Sequence, residues 1–433
     1  MPTSSHYARP VYVIDGSRTP FLKAQGRPGP FRASDLAVGA GRPLLARQPF
    51  PPERLDEVIL GCVSSGPDEA NIARVVALRL GCGERVPAWT VQRNCASGMQ
   101  ALDSAAKDIA AGRAELVLAG GAEAMSHHPV LLNPRMVGWL ADWNRARGLA
   151  ARGRQLAALR PYHFQLIIGL LRGLTDPVVG LSMGQTAEQL AWRFHVSREA
   201  MDGFALESHR RLAQAQQEQR LEEIEPQYDR QGRLYESDNG LRADSDMQQL
   251  ARLRPVFDRP VGQVTAGNSA QVSDGAALLL LASPEAAERL DLPILGRILD
   301  SHWAALDPAQ MGLGPVHAMA GLLAASRLSS AEIDYWEINE AFAAQVLACL
   351  EAWQDPDYMR QEVGVEAGFE AIPQERLNVD GGAISMGHPV GASGARLVLH
   401  LLKTLHQRDA RRGLASLCIG GGQGGAMLLE ATR

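Results

Sequence analysis

Apolar residues in the first third of the chain fall into short continuous runs, VYVID from Val11, EVILGCV from Glu57, WTVQRN from Trp89 and ELVLAGG from Glu115. Each has the length and composition of a buried strand. Between them, ANIARVVALRL (70–80) and SGMQALDSAAKDIAAG (97–112) carry apolar residues at helical spacing. Such alternation predicts an α/β domain whose sheet is covered on both faces. From about residue 292 the order returns: PILGRILDS, a helix near VHAMAGLLAASRL, IDYWEIN, the helical EAFAAQVLACLEAW, then RLNVDGG, a helix through ASGARLVLHLLKTL, and the pair GLASLCIGG and GAMLLEAT. One unit is used twice. Residues 1–285 are expected to form the N-terminal half and 286–433 the C-terminal half. A stretch of about 125–250, richer in helical pattern and charge, has no counterpart in the second half and is expected to be an inserted loop domain.

The repeat places two chemically unusual residues at equivalent strand-to-helix turns, Cys95 in RNCASGMQAL and His388 in SMGHPVGASGAR. Backbone N–H groups at a helix start are unpaired and favour negative charge, so a thiolate or an oxyanion is stabilised there. Taken singly, Cys95 and Cys418 also fit as small core residues and His388 as turn filler. GGGQGG (420–425) reads as a turn between two strands, because no helix follows it to hold a phosphate.

Composition narrows the field. The 433 residues are 46% hydrophobic and 21% charged, with a formal charge of −5 and pI near 6.1. That is an ordinary globular balance, with no global pull toward nucleic acid. No eighteen apolar residues run together and the N-terminus lacks a signal-peptide core, so a cytoplasmic location is expected. Five scattered cysteines without CxxC spacing point to neither a disulfide framework nor a zinc site, and the adjacent His127 and His128 do not form a chelating pair on one helix face.

Four stretches together carry a resemblance: NCASGMQAL around Cys95, NEAFAAQ beginning at Asn339, GHPVGASGAR around His388 and CIGGGQGGAM around Cys418. In sequence order they resemble the nucleophile, asparagine, histidine and second-cysteine motifs of the thiolases. SRTPF, AGGAEAMS, MGQTAEQLA, LRPVFD and TAGNSAQVSDGAA also match that family's patterns. The resemblance implies two βαβαβαββ halves in a five-layer αβαβα sandwich with an inserted loop domain that binds coenzyme A. It implies a homodimer or homotetramer, with a hydratase/dehydrogenase α subunit as a further partner in one branch. Acyl-CoA and coenzyme A would be substrates, with no permanently bound cofactor.

The chemistry implied by the resemblance is cleavage of a 3-ketoacyl-CoA by coenzyme A through an acyl-cysteine, as in fatty acid β-oxidation. Cys95 would be the nucleophile and His388 its base. Cys418 would be the acid at C2, and Asn339 the holder of a water on the enolate oxygen. The backbone N–H groups of Cys95 and Gly420 would form an oxyanion hole. Arg242 would meet the adenine end of coenzyme A and Ser269 its pantetheine part. Ala270 and Ser182 stand where acetoacetyl-CoA-forming members carry a serine and a histidine, which favours a degradative, medium- or long-chain reading over acetyl-CoA condensation. A silent acyl-CoA-binding relative would be expected to have lost one of the four motif residues.

One segment reverses the chain's charge. Residues 135–173 hold seven arginines and one acid, Asp142, with Trp139, Trp143, Phe164 and LIIGLL as apolar anchors. The mixture fits either a solvated arginine face or a basic amphipathic surface that covers an acyl chain and makes weak contact with anionic membrane.

Overall fold

The computed structural model describes residues 7–366 and 369–432. The N-terminal half runs β1 (Val11–Arg18), α1 (Ala33–Ala46), β2 (Glu57–Gly61), α2 (Ile72–Arg79), β3 (Ala88–Val91), α3 (Ser97–Ala110) and β4 (Leu116–Ala124). Then come α4 (Pro134–Arg145), α5 (Leu149–Ala158), α6 (Met183–Arg193) and α7 (Arg198–Gln217), and the half closes with β5 (Ser273–Ala282). The second half is β6 (Gly296–Ala305), α8 (Gly314–Ser326), β7 (Tyr335–Ile338), α9 (Ala343–Gln354), α10 (Val390–Gln407), β8 (Arg412–Ile419) and β9 (Gln423–Ala431).

Strand order is β3-β2-β4-β5-β1 in the first half and β7-β8-β9-β6 in the second, the same winding twice. The edge strands β1 and β6 pair antiparallel over Val11–Val13 against Gly296–Ile298, so the two sheets join into one hydrogen-bonded path. RLNVDGG, expected as the second half's third strand, is reduced to a single parallel bridge, Trp336 to Leu377. The cause is local. Asn378 has left-handed φ (46°), which ends the extended run, and its side chain takes over the pairing: Oδ1 accepts from Ile338 N at 2.9 Å while Nδ2 donates to Ile338 O at 2.9 Å.

Alternation along the strands sorts side chains into layers. Val58, Leu60, Leu278 and Leu280 pack with α1 and α2 residues such as Leu36, Leu44, Ile72 and Val76. Their neighbours Ile59, Leu279 and Leu281 face the opposite way, onto Met99 and Leu102 of α3 and Leu397 and Leu401 of α10. On the far side, Ala415, Leu417 and Met427 meet this same central layer, while Leu414 and Leu428 pack outward against Leu322 and Leu323 of α8 and Val346 of α9. The result is αβαβα. In the central layer α3 and α10 approach closely enough that a Cβ on Gly98 would lie 2.8 Å from the carbonyl oxygen of Gly391. That approach brings the start of α3, next to Cys95, against the start of α10, next to His388.

Within 125–250, the short strands Val130–Leu132 and Leu166–Ile168 pair antiparallel and α4 and α5 lie between them. Leu174 accepts from Met183 N and Leu181 from Asp176 N, folding residues 174–183 into a loop, after which α6 and α7 pack on the C-terminal half. A buried ionic network joins distant segments. Arg18 of SRTPF donates from both Nη atoms to Asp238 at 2.8 and 2.9 Å, and Glu223 lies between Arg18 and His400. His400 is pushed up to about 10 by Glu223 and Asp380, although burial opposes this, and Glu223 is held down at about 2, with His400 and Arg18 outweighing its burial.

Candidate active site

Cys95 sits between β3 and α3, in a tight turn where the Ala96 and Ser97 N–H groups donate to Arg93 O at 3.0 Å and Asn94 O at 3.1 Å. Asn94 adopts left-handed φ (44°), and Ser97 closes the turn by accepting from Arg93 N at 2.9 Å and donating to Asn94 O at 2.7 Å. The opposing loop comes from the other half. Ile419 and Gln423 end the β8–β9 hairpin, and Gly421 and Gly422 turn it with φ of 90° and 75°, values that favour glycine. Asn94 Nδ2 donates to Gly420 O at 2.8 Å, stapling the two loops together, and the Gly420 N–H is directed at the Cys95 sulfur. Burial pushes the Cys95 thiol up, and the N–H groups of Gly420 and of Cys95 itself pull it back down.

His388 is buried at the equivalent turn, with left-handed Gly387 (φ 115°) before it and Pro389 after it. Ser393, one turn into α10, donates to Pro389 O at 3.0 Å and accepts from His388 Nδ1 at 2.6 Å. This arrangement puts the ring proton on Nδ1 and leaves Nε2 as a lone pair. Asn339 Nδ2 faces that nitrogen at 3.4 Å. Burial, with a lesser contribution from the Arg396 cation, lowers His388 to about 4, so the imidazole is neutral at physiological pH.

Asn339 follows β7 directly, its backbone N–H held by Ser416 O at 2.9 Å, and its Oδ1 is buried without a partner among the described residues. Cys418, near the end of β8, is buried against Met311 and Ala341, and burial raises its thiol well above the usual range, with Cys95 the next contributor. Both thiols therefore rest protonated beside a neutral base.

A cavity of about 420 Å³ opens over Cys95. Cys95, Asn94, Gly420 and Gly421 form its floor, and Leu170, Leu174, Val178, Met125, Val63 and Val390 supply apolar walls. Residues 170–178 thus bring the 125–250 stretch to the cavity that Cys95 lines. His388, Asn339 and Cys418 are buried and are not in the lining. Arg242 and Ser269 are not in it either. The Arg242 N–H donates to His209 Nδ1 at 3.2 Å, and the cations of Arg242 and Lys23 add to burial in lowering His209 to about 4. Ser269 donates to Thr265 O at 2.6 Å and is bridged to Phe342, next to the Asn339 loop.

Sequence reasoning missed several side chains that build this site. Glu340 accepts from Ser208 at 2.6 Å and from Asn378 at 3.0 Å, and it receives Ile384 N at 3.3 Å, fixing the loop that leads to His388. Asn94, Ser393 and Asn378 act through bonds whose partners are invisible along the chain. A carboxyl in an otherwise apolar strand, Glu123 in ELVLAGGAEA, was a signal that could have been followed.

The model of the thiolase N-terminal domain matches residues 11–285 and that of the thiolase C-terminal domain residues 292–431. A 3-ketoacyl-CoA thiolase of Yersinia pestis (strain Pestoides F) is 36% identical over 423 residues, covering 97% of this chain and 96% of its own length, and the one from Yersinia pseudotuberculosis serotype O:3 matches equally. The crystal structure of human mitochondrial 3-ketoacyl-CoA thiolase in complex with CoA superposes with a TM-score of 0.85 at 34% identity, covering 99% of both chains. That of the Bacillus anthracis acetyl-CoA acetyltransferase gives 0.83 at 34%, covering 99% of this chain and 100% of the other. With both halves matched and the likeness extending over almost every residue, the chain belongs to the thiolase family.

Proposed function

We propose that this chain cleaves 3-ketoacyl-CoA with coenzyme A, giving acetyl-CoA and a shortened acyl-CoA through an acyl-Cys95 intermediate. The observation that carries the reading is the closure of the Cys95 turn on the Gly420 loop, with the unprotonated Nε2 of His388 at the equivalent turn of the other half. Relatives named 3-ketoacyl-CoA thiolase support it.

The residues divide the steps. His388 Nε2 takes the Cys95 proton as the sulfur adds to the C3 carbonyl, and the N–H groups of Cys95 and Gly420 receive the oxyanion. The C2–C3 bond then breaks, and its electron pair becomes an enolate whose oxygen is held by His388 and by a water on Asn339. Cys418, kept protonated by burial, gives its proton to C2 and acetyl-CoA leaves. The Cys418 thiolate takes the proton of a second coenzyme A, whose sulfur attacks the acyl-Cys95 carbonyl. The Cys95 thiolate departs and recovers its proton from His388.

The apolar cavity walls favour a tail longer than that of acetoacetyl-CoA, since each buried methylene contributes about 0.8 kcal/mol. Arg242 and Ser269 are our candidates for the coenzyme A chain. We also propose a cytoplasmic homo-oligomer that meets anionic membrane weakly through residues 135–173, where Leu149, Leu156, Phe164 and Leu171 are exposed among the arginines. No helix among the described residues is long and apolar enough to cross a membrane.

The test is cleavage of 3-ketoacyl-CoA substrates of increasing length with and without coenzyme A. Strictly CoA-dependent turnover, with KM falling as the tail lengthens, is expected. Turnover on acetoacetyl-CoA alone would support the condensing alternative, and no turnover on any length would overturn the reading.

A further inference from the structure

Glu123 lies on β4 with Ala122 and Ala124 facing the α1 layer, so its own side chain points toward the central helices. There it is fully buried and faces no lysine or arginine among the described residues. Instead Oε2 accepts from Val63 N at 2.8 Å and Oε1 from Ser64 N at 3.0 Å, while the Gly391 N–H is a third donor. Val63 and Ser64 follow β2 in the first half, and Gly391 is in the first turn of α10, three residues after His388. The fit is tight: a Cβ on Gly391 would lie 2.7 Å from Glu123 Oε2. The titratable groups around the carboxylate are Cys62 Sγ at 3.9 Å, His128 Nε2 at 4.0 Å, Asp274 and Cys95. Val63, Val390, Met125 and His128 all line the cavity over Cys95.

We infer that Glu123 is a positioning residue for the reaction proposed above: its carboxylate ties the Val63–Ser64 turn of one half to the first turn of α10 in the other, and so sets His388 against Cys95. The function reading is assumed here. Backbone donors suit the task, because they hold the anion without the reach and rotation of a lysine or arginine. Burial pushes Glu123 up to about 7 while Val63, Ser64 and Gly391 pull it down, and its charge adds to burial in raising the Cys95 thiol. Glu123 therefore acts in two separable ways, by geometry on His388 and by charge on Cys95.

Two variants separate them. Glu123→Gln keeps the size and removes the charge, and Glu123→Asp keeps the charge and shortens the reach. Each is measured for steady-state cleavage and for the pH midpoint of Cys95 alkylation by iodoacetamide, followed by mass spectrometry of the Cys95 peptide. Geometry lost at an attacking pair costs up to about a hundredfold, so both variants should lose roughly tenfold or more in kcat with KM for coenzyme A little changed. The alkylation midpoint should move down in Glu123→Gln, where the repelling charge is gone, and stay at the wild-type value in Glu123→Asp. Unchanged kcat in Glu123→Asp, or an unmoved midpoint in Glu123→Gln, would overturn the inference. A variant that fails to fold leaves the decision to the other. Alkylation needs no turnover, so the charge effect can be read even where wild-type protein cleaves no 3-ketoacyl-CoA, an outcome that would sink the function reading and with it the positioning role, leaving only the charge effect of Glu123 on Cys95.

Discussion

The turn holding Cys95 and the turn holding His388 occupy the same place in two copies of one unit, yet they are built differently. Before Cys95 the chain is a true strand, β3, paired with β2 from Ala88 to Val91. Before His388 that strand has shrunk to one bridge, and the Asn378 side chain supplies the missing hydrogen bonds. Cys95 is half-buried on a cavity floor, whereas His388 is buried outside the lining with one ring nitrogen locked by Ser393. As the proposed nucleophile Cys95 has to meet substrate, and its turn stays open to the cavity. On the proposed reading the base meets only the nucleophile and the enolate oxygen, and the His388 turn trades strand pairing for a polar scaffold that fixes a tautomer. The repeated strand order gives the two turns the same place, and their polar side chains make them different.

Breaking either turn at its reacting atom should have the largest effect. Cys95→Ser is expected to lower kcat by at least about a thousandfold, because the hydroxyl is a far weaker nucleophile, and His388→Gln by about 10²- to 10⁴-fold, both read by steady-state cleavage. Smaller losses distinguish the scaffolds. Asn378→Leu strands the N–H and C=O of the buried Ile338 and should cost about 2 to 3 kcal/mol in denaturant unfolding. Ser393→Ala frees the imidazole tautomer and should remove about 1 to 2 kcal/mol of transition-state stabilisation, roughly five- to thirtyfold in kcat with KM little changed.

Acid and base should strain the second half from opposite sides. His388, lowered to about 4, contributes stability that is fully present above the unfolded value near 6.5 and is lost as pH falls toward 4. His400, raised to about 10, contributes stability that is fully present below about 6.5 and is lost as pH rises toward 10. Calorimetric Tm should therefore fall on both sides of pH 6.5, and His400→Gln should flatten the alkaline side while lowering Tm at neutral pH. The smallest change is expected on the first half's edge strand, where Trp89→Thr gives up a partly exposed hydrogen bond to Glu57 at 2.7 Å and should cost about 1 kcal/mol.

Much of this was legible in the sequence, and the limits have physical causes. Apolar runs and helical spacing expose the repeat because burial on both sheet faces forces them. Cys95, His388, Asn339, Cys418 and Gly420 stand in motifs at or near strand ends, and the structure brings Gly420 and Cys418 of the second half near Cys95 of the first and sets Asn339 beside His388. RLNVDGG misled because Leu377 and Val379 read as strand, while a left-handed Asn378 with a side chain aimed at Ile338 leaves no periodic signal. Glu123, Ser393 and Asn94 were not read because their partners are 60, 5 and 326 residues away and most of those partners are backbone atoms, whose positions no residue type announces.

The central claim is that one half supplies the nucleophile and the other the base and acid. It is tested most directly by mass spectrometry of protein quenched during turnover on a 3-ketoacyl-CoA, in wild type and in Cys418→Ala loaded with a simple acyl-CoA. The account predicts an acyl adduct on the tryptic peptide 94–107, retained in Cys418→Ala even though that variant no longer cleaves the carbon–carbon bond. An adduct on the peptide holding Cys418, or acylation of Cys95 lost together with cleavage in Cys418→Ala, would contradict it.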